Sequence, residues 1–133
     1  MKTITITGEN IRDIPSFYAE INRVFMAGET WVLGASLDAF DDMLYGQYGA
    51  IDGREPVTLV WTGIDQSRAS LGRDATRSFL EAKLRRPDMF DTRHIRHQLE
   101  DLDRGEGRTY FDTVFAIIAD HDNITVLTSS GSD

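Results

Sequence analysis

Residues 34–46 read Gly34-Ala35-Ser36-Leu37-Asp38-Ala39-Phe40-Asp41-Asp42-Met43-Leu44-Tyr45-Gly46. The stretch has the marks of a short helix with a start, a stop and two unlike faces. Ser36 is a good N-cap, because its hydroxyl accepts a hydrogen bond from an amide of the first turn. Gly46 supplies the C-terminal stop. At about 100° per residue, Leu37, Phe40, Met43 and Leu44 fall on one side. Asp38, Asp42 and Tyr45 fall on the other, with Asp41 at its edge. One face anchors the helix, and the other presents carboxylates.

The charge around this helix is one-sided. Residues 29–53 hold five acids (Glu29, Asp38, Asp41, Asp42, Asp52) and no Lys or Arg. The helix dipole favours an acid in the first turn, which accounts for Asp38 but not for Asp42. Like charges at i,i+4 cost roughly 0.2–0.5 kcal/mol per pair, so the arrangement points to a positively charged partner. The plain alternative is a solvated acidic face. Trp31-Val32-Leu33 lead into the helix as an apolar loop. They belong either under it, as core, or beside its carboxylates, as an interface rim.

Outward from the helix the chain alternates between strand and helix signals. Residues 2–7 alternate Ile with Thr and read as a strand. Asp13 caps a helix that runs to about Met26, with Pro15 tolerated in its first turn. Its buried stripe is Ile14, Phe17, Ile21, Val24 and Phe25. Val57-Thr58-Leu59-Val60-Trp61 is the most apolar strand signal, followed after Gly63 by a short helix to Leu71. Residues 75–86 and 91–104 read as two further helices, the first stopped by Pro87. Tyr110 to Ala119 is a strongly apolar helix, Ile124-Thr125-Val126-Leu127 a last strand, and 129–133 a polar, frayed tail. Each pair of strands has a helix between them, so the strands are expected to be parallel. The fold class is α/β, a small three-stranded parallel sheet packed with helices, in one domain over residues 1–133.

Composition narrows the function. The chain has 133 residues, 41% of them hydrophobic and 10% aromatic, enough for one domain with a sizeable core. It has no cysteine, which removes disulfides, thiol nucleophiles and cysteine metal sites, and fits a reducing cytoplasm. The first residues lack the apolar core of a signal peptide, and no apolar run approaches the ~20 residues of a membrane span. A cytoplasmic protein is expected. With 22 acids against 14 bases the net charge is −8. Phosphates would be repelled, so direct nucleic-acid binding is not expected. Rapid encounter with a basic protein is.

Other chemistry finds little support. Residues 73–108 carry nine of the 14 bases but also eight acids, a mixed and solvated segment. His94, His97 and Asp101 share one face of a helix at a spacing that can bind zinc, yet Arg93 and Arg96 beside them repel a cation, and no metal or cofactor is expected. His121 at the end of the last long helix suits the dipole there. No Gly-rich phosphate loop follows a strand, and the serines have no nucleophile-elbow context. Asp38 with Asp42 would make an acid–base pair only in a concave, partly apolar site that separates their roles.

In order, these segments resemble the barstar family of ribonuclease inhibitors. Leu37-Asp38-Ala39, then an aromatic, one residue and Asp42, is similar to the family's Leu-Asp-Ala inhibitory helix. Thr7-Gly8-Glu9-Asn10-Ile11-Arg12 and the helix to Phe25 resemble its first strand and helix. Pro56 to Ser67, with Val60-Trp61 and Gln66-Ser67, resembles its second strand and following helix, and Ile124-Thr125-Val126-Leu127 its last strand. The resemblance implies a three-stranded parallel sheet and a function without catalysis: blocking a small basic microbial ribonuclease, one to one, with an acidic helix in place of RNA phosphates. It implies an immunity-type protein directed at a ribonuclease or nuclease toxin domain of its own producer. Asp38 and Asp42 match the principal inhibitory acids, and Asp41, Ser36, Gly34, Leu33, Val32 and Tyr45 complete the expected contact set. The departures are Val32 and Leu33 in a loop that is aromatic in the family, with Trp31 displaced; Ser36 for Asn; Asp41 for Trp; Ala116 at the acidic contact of the last helix; and an insertion of one or two helices over residues 72–108. Two other functions stay open: an interaction module that has lost nuclease binding, and a carboxylate-dependent hydrolase.

Overall fold

The computed structural model describes residues 2–130. Three strands form one sheet in the order β1-β2-β3: β1 (Lys2–Thr7), β2 (Val57–Thr62) and β3 (Ile124–Thr128). Both pairings are parallel, with Ile4 opposite Leu59 and Leu59 opposite Val126. Among the described residues, six α-helices complete the fold: α1 (Ile14–Phe25), α2 (Leu37–Leu44), α3 (Ile64–Ser70), α4 (Arg73–Leu84), α5 (Thr92–Asp103) and α6 (Tyr110–Ala119). The expected α/β class and parallel sheet are what the molecule has.

The strand alternation sets which side is covered. Ile4 and Ile6 of β1 and Val57, Leu59 and Trp61 of β2 all turn into the core, as a period of two requires. Gly8 follows β1 because nothing larger fits: a Cβ there would stand 2.1 Å from the Thr62 carbonyl oxygen. That close approach lets the Ser67 hydroxyl donate to the Gly8 carbonyl at 3.2 Å while accepting from the Trp61 indole N–H at 3.0 Å.

Phe17 of α1 is the point where four elements meet. Its ring lies 5.5 Å from Phe40 of α2, 6.4 Å from Trp61 of β2 and 6.5 Å from Tyr110 of α6. The hydroxyls of Tyr18 and Tyr110 share a hydrogen bond of 2.5 Å, so α1 and α6 are joined by a polar link inside the apolar core. Burial raises both phenols above their ordinary values, which keeps this link neutral. The start of α1 is a capping box: Asp13 accepts from the Ser16 amide at 2.8 Å, and the Ser16 hydroxyl accepts from the Asp13 amide at 2.9 Å.

Element bounds differ from expectation by two residues at each end of α4 and by one at several other elements. α4 begins at Arg73, not residue 75, although Gly72 has no side chain to cap it. Thr76 fixes the start instead, its hydroxyl donating to the Gly72 carbonyl and accepting from the Tyr110 amide, both at 2.7 Å. The helix ends at Leu84, where the Arg85 and Arg86 amides turn back to the carbonyls of Ala82 and Lys83 and close the last turn before Pro87. At the other end, Ser129 is held and does not fray. Its amide donates to the Trp61 carbonyl, and its carbonyl accepts from Ile64. Residues 131–133 of the expected tail lie outside the described residues.

Candidate functional site

Helix α2 is built to be held from below and bare above. Ser36 caps it, its hydroxyl accepting from the Ala39 amide at 3.1 Å. Phe40, Met43 and Leu44 are buried, and Leu37 and Ala39 pack against the core margin. The chain enters α2 along α1, where the Asn22 side chain brackets Leu33: its Oδ1 accepts from the Leu33 amide at 2.6 Å and its Nδ2 donates to the Leu33 carbonyl. Past Tyr45 the chain turns at Gly46, which has φ +85°. A Cβ at Gly46 would stand 2.3 Å from the Gly53 carbonyl oxygen, so the loop closes on itself there only through a glycine.

The five acids counted in residues 29–53 separate into two groups in space. Glu29 accepts from the Gly49 amide at 2.8 Å. Asp52 lies 3.7 Å from Lys2, which also meets Glu55 at 2.9 Å. Asp41 stands 2.7 Å from Nε2 of His121, whose side chain is only 5% exposed, so the ring donates to the carboxylate. Tyr45 lies edge-on to the same imidazole, with ring centroids 4.6 Å apart. These three acids are therefore partnered within the fold. Asp38 and Asp42 are exposed, and their carboxylates make no hydrogen bond or ion pair among the described residues. Four residues apart, they lie side by side on the open face of α2.

The other candidate residues sort by exposure. Gly34 and Ser36 lie on the surface before the helix, and Val32 is 74% exposed. Leu33, expected in the contact set, is buried at 4% and serves as core. Tyr45 remains 54% exposed despite its contact with His121. Trp31, weighed in the sequence as core or interface rim but outside the expected contact set, is 45% exposed, and Tyr48, expected as connector, packs beside it. Their rings meet at 4.9 Å. The only sequence signal was an aromatic on each side of the helix.

Beyond α2, Ala116 lines a depression with Arg68, Phe111 and Phe115, on the flank that α6 shares with α3. Helices α4 and α5 fill the segment expected as an insertion, tied to each other by Arg77 and Asp103. With the start of α6 they border a groove of about 530 Å³ whose wall includes Leu37, the first residue of α2. Across this groove the segment faces the N-terminal residue of the acidic helix. On α5, Asp101 is engaged by Arg104 and stands 3.8 Å from His97. No helix among the described residues is long and apolar enough to cross a membrane.

Residues 1–86 match the family model described as Barstar (barnase inhibitor). The match takes in β1, β2 and α1 through α4, so it includes the acidic helix and the first helix of the expected insertion, and stops short of α5, α6 and β3. Comparison with curated proteins gives no match.

Proposed function

The chain belongs to the barstar family of barnase inhibitors, and from that premise we propose that it binds a small basic ribonuclease and covers the active site with the open face of α2. One observation carries the reading. Asp38 and Asp42 stand together without a cation of their own, on a helix whose remaining sides are fixed to the core. In this reading the two carboxylates take the places of RNA phosphates and meet the Arg, Lys and His side chains that bind substrate. Their alignment needs no rearrangement, so little ordering entropy opposes binding. Ser36, Gly34, Val32 and Tyr45 flank them as rim contacts.

The role is that of an immunity-type inhibitor, acting one to one in the cytoplasm against a toxin of its own producer. The hydrolase alternative lacks a setting, because an acid–base pair needs a concave site that gives its members different environments, whereas Asp38 and Asp42 are both exposed on a helix surface.

A titration of RNA cleavage tests the proposal. Adding the protein to a barnase-type ribonuclease should reduce cleavage in proportion and abolish it at equimolar inhibitor. Undiminished cleavage in excess protein, with no complex by calorimetry, would contradict it and leave the interaction-module reading.

A further inference from the structure

Helix α2 is too small to be a whole interface. A stable contact between proteins takes about 20–30 residues from each side. Helix α2 has eight, and three of them, Phe40, Met43 and Leu44, are buried. A ribonuclease seated on its open face therefore also meets the surface around it. At the N-terminal end of α2 that surface is the groove between α4, α5 and the start of α6, whose wall includes Leu37. Asp38, one of the two open carboxylates, is the next residue along the chain.

The groove combines apolar surface with charge that is unevenly engaged. Leu37, Phe79, Leu80 and Tyr110 supply the apolar part, with the rings of Phe79 and Tyr110 5.1 Å apart. Its two acids, Asp101 and Glu106, both meet Arg104. Its two bases have no such partner. Lys83 lies 4.4 Å over the Phe79 ring, Arg108 lines both this groove and the depression at Ala116, and neither makes an ion pair among the described residues. Internal bonds hold the walls in place. The Thr76 hydroxyl joins α4 to the Tyr110 amide at 2.7 Å. The Gly107 amide donates to the Asp101 carbonyl at 3.0 Å, at a point where a Cβ would come within 2.9 Å of the Leu102 nitrogen.

Resting on the reading of α2 as the partner-facing surface, we propose that this groove is the second part of the interface and takes a segment of the same ribonuclease in which an apolar side chain neighbours a carboxylate. The apolar side chain lies against Leu37, Phe79 and Tyr110, and the carboxylate meets Lys83 and Arg108. Charge decides the occupant. A basic segment would face two cations, while the acids beside them are already engaged by Arg104. A carboxylate gives those cations the charge-assisted bonds that the fold itself does not supply, and an apolar side chain removes the exposed ring surface from water. The two parts of the interface then do different work. Carboxylates on α2 suit any basic active site, whereas the groove discriminates among ribonucleases by what lies beside that site.

Charge reversal tests this, because the competing expectation has the opposite sign. Lys83→Glu and Arg108→Glu make the molecule more acidic, so steering alone would speed its capture of a basic ribonuclease. The groove predicts that the double variant binds a barnase-type ribonuclease that wild type inhibits about 10-fold more weakly, through faster dissociation. Arg108 is exposed and neither base holds an ion pair, so the variants should stay folded, which thermal denaturation verifies. Unchanged or tighter binding by the double variant overturns the proposal. So do wild-type dimers in sedimentation that the double variant loses, since they assign the groove to a second copy of this chain. The outcome is separable from the inhibitor reading. If wild type inhibits no ribonuclease, that reading fails by itself, and a capped tetrapeptide with leucine and phenylalanine between two glutamates decides for the groove. At millimolar concentration it should shift the amide resonances of Phe79, Lys83 and Thr109 in wild type and not in the double variant, and the same peptide with lysines for glutamates should shift neither. That result keeps the groove and redirects it to another partner; unmoved resonances in wild type, or equal shifts with both peptides, overturn it.

Discussion

Asp41 and Asp42 are adjacent in sequence and do opposite work. Asp42 faces out and is uncompensated, whereas Asp41 is hydrogen-bonded to buried His121 and ties α2 to the end of α6. Replacing Asp41 by Ala should therefore lower stability by about 1–2 kcal/mol, because a buried imidazole loses its charged partner. That is a fall in Tm of roughly 3–8 °C for a domain of this size, read by thermal denaturation. A variant as stable as wild type would contradict the structural role. This division was only half legible. The spacing of Asp38, Asp42 and Tyr45 against Leu37, Phe40, Met43 and Leu44 gives the two faces of α2 directly. The partner of Asp41 lies 80 residues further along the chain, and no local pattern points to it. His121 was read as a cation suited to a helix end, which describes its place but not its contact. Glu29 and Asp52 were likewise counted as part of a one-sided surface, because their partners, a backbone amide and Lys2, are close only in the folded state.

At the scale of elements, the chain's own polar groups fix how α1 sits on the sheet. Glu20 is buried, yet its carboxylate accepts from the Thr7 amide at 2.8 Å, from Asn10 at 3.0 Å and from Arg23 at 2.6 and 2.8 Å. Burial alone would push its carboxyl up. The bonds from Arg23, Asn10 and Thr7 outweigh burial, and the net effect is a value below the ordinary 4.5. A group that binds its proton less readily when folded adds stability that is fully present above the unfolded value and is lost as pH falls through the folded one. Wild type should therefore lose stability on acidification below about pH 4.5, and Glu20→Gln should flatten that part of the curve while lowering stability at neutral pH by about 1–3 kcal/mol. Denaturant titrations at several pH values check this, and a variant with the same acid slope as wild type would contradict it. Strands and helices were legible because their periods are local: Ile4 and Ile6 for β1, Phe17 and Ile21 for α1. The start of α4 was not, since Thr76 sets it by bonding to the amide of Tyr110, 34 residues away.

For the molecule as a whole, the net charge of −8 acts before any contact forms. Attraction to a basic ribonuclease should speed encounter at low salt, and screening should slow it as ionic strength rises. Stopped-flow association rates that fall steeply with salt, with dissociation little changed, are expected; rates indifferent to salt would contradict charge mimicry. Parallel order followed from strands always separated by helices, and the groove that α4 and α5 share with Leu37 did not, because helix packing depends on faces that meet only in three dimensions. The most direct test of the central claim compares Asp42→Ala and Asp38→Ala with Asp65→Ala, an exposed acid on α3 paired with Arg68, for affinity to a barnase-type ribonuclease and for stability. Asp42→Ala should weaken binding on the order of 100-fold or more, with Asp38→Ala also impaired and Asp65→Ala close to wild type, while Asp42→Ala is as stable as wild type because a like-charge contact is gone. Equal affinity for all three variants and wild type would contradict the claim that the open face of α2 is the inhibitory surface.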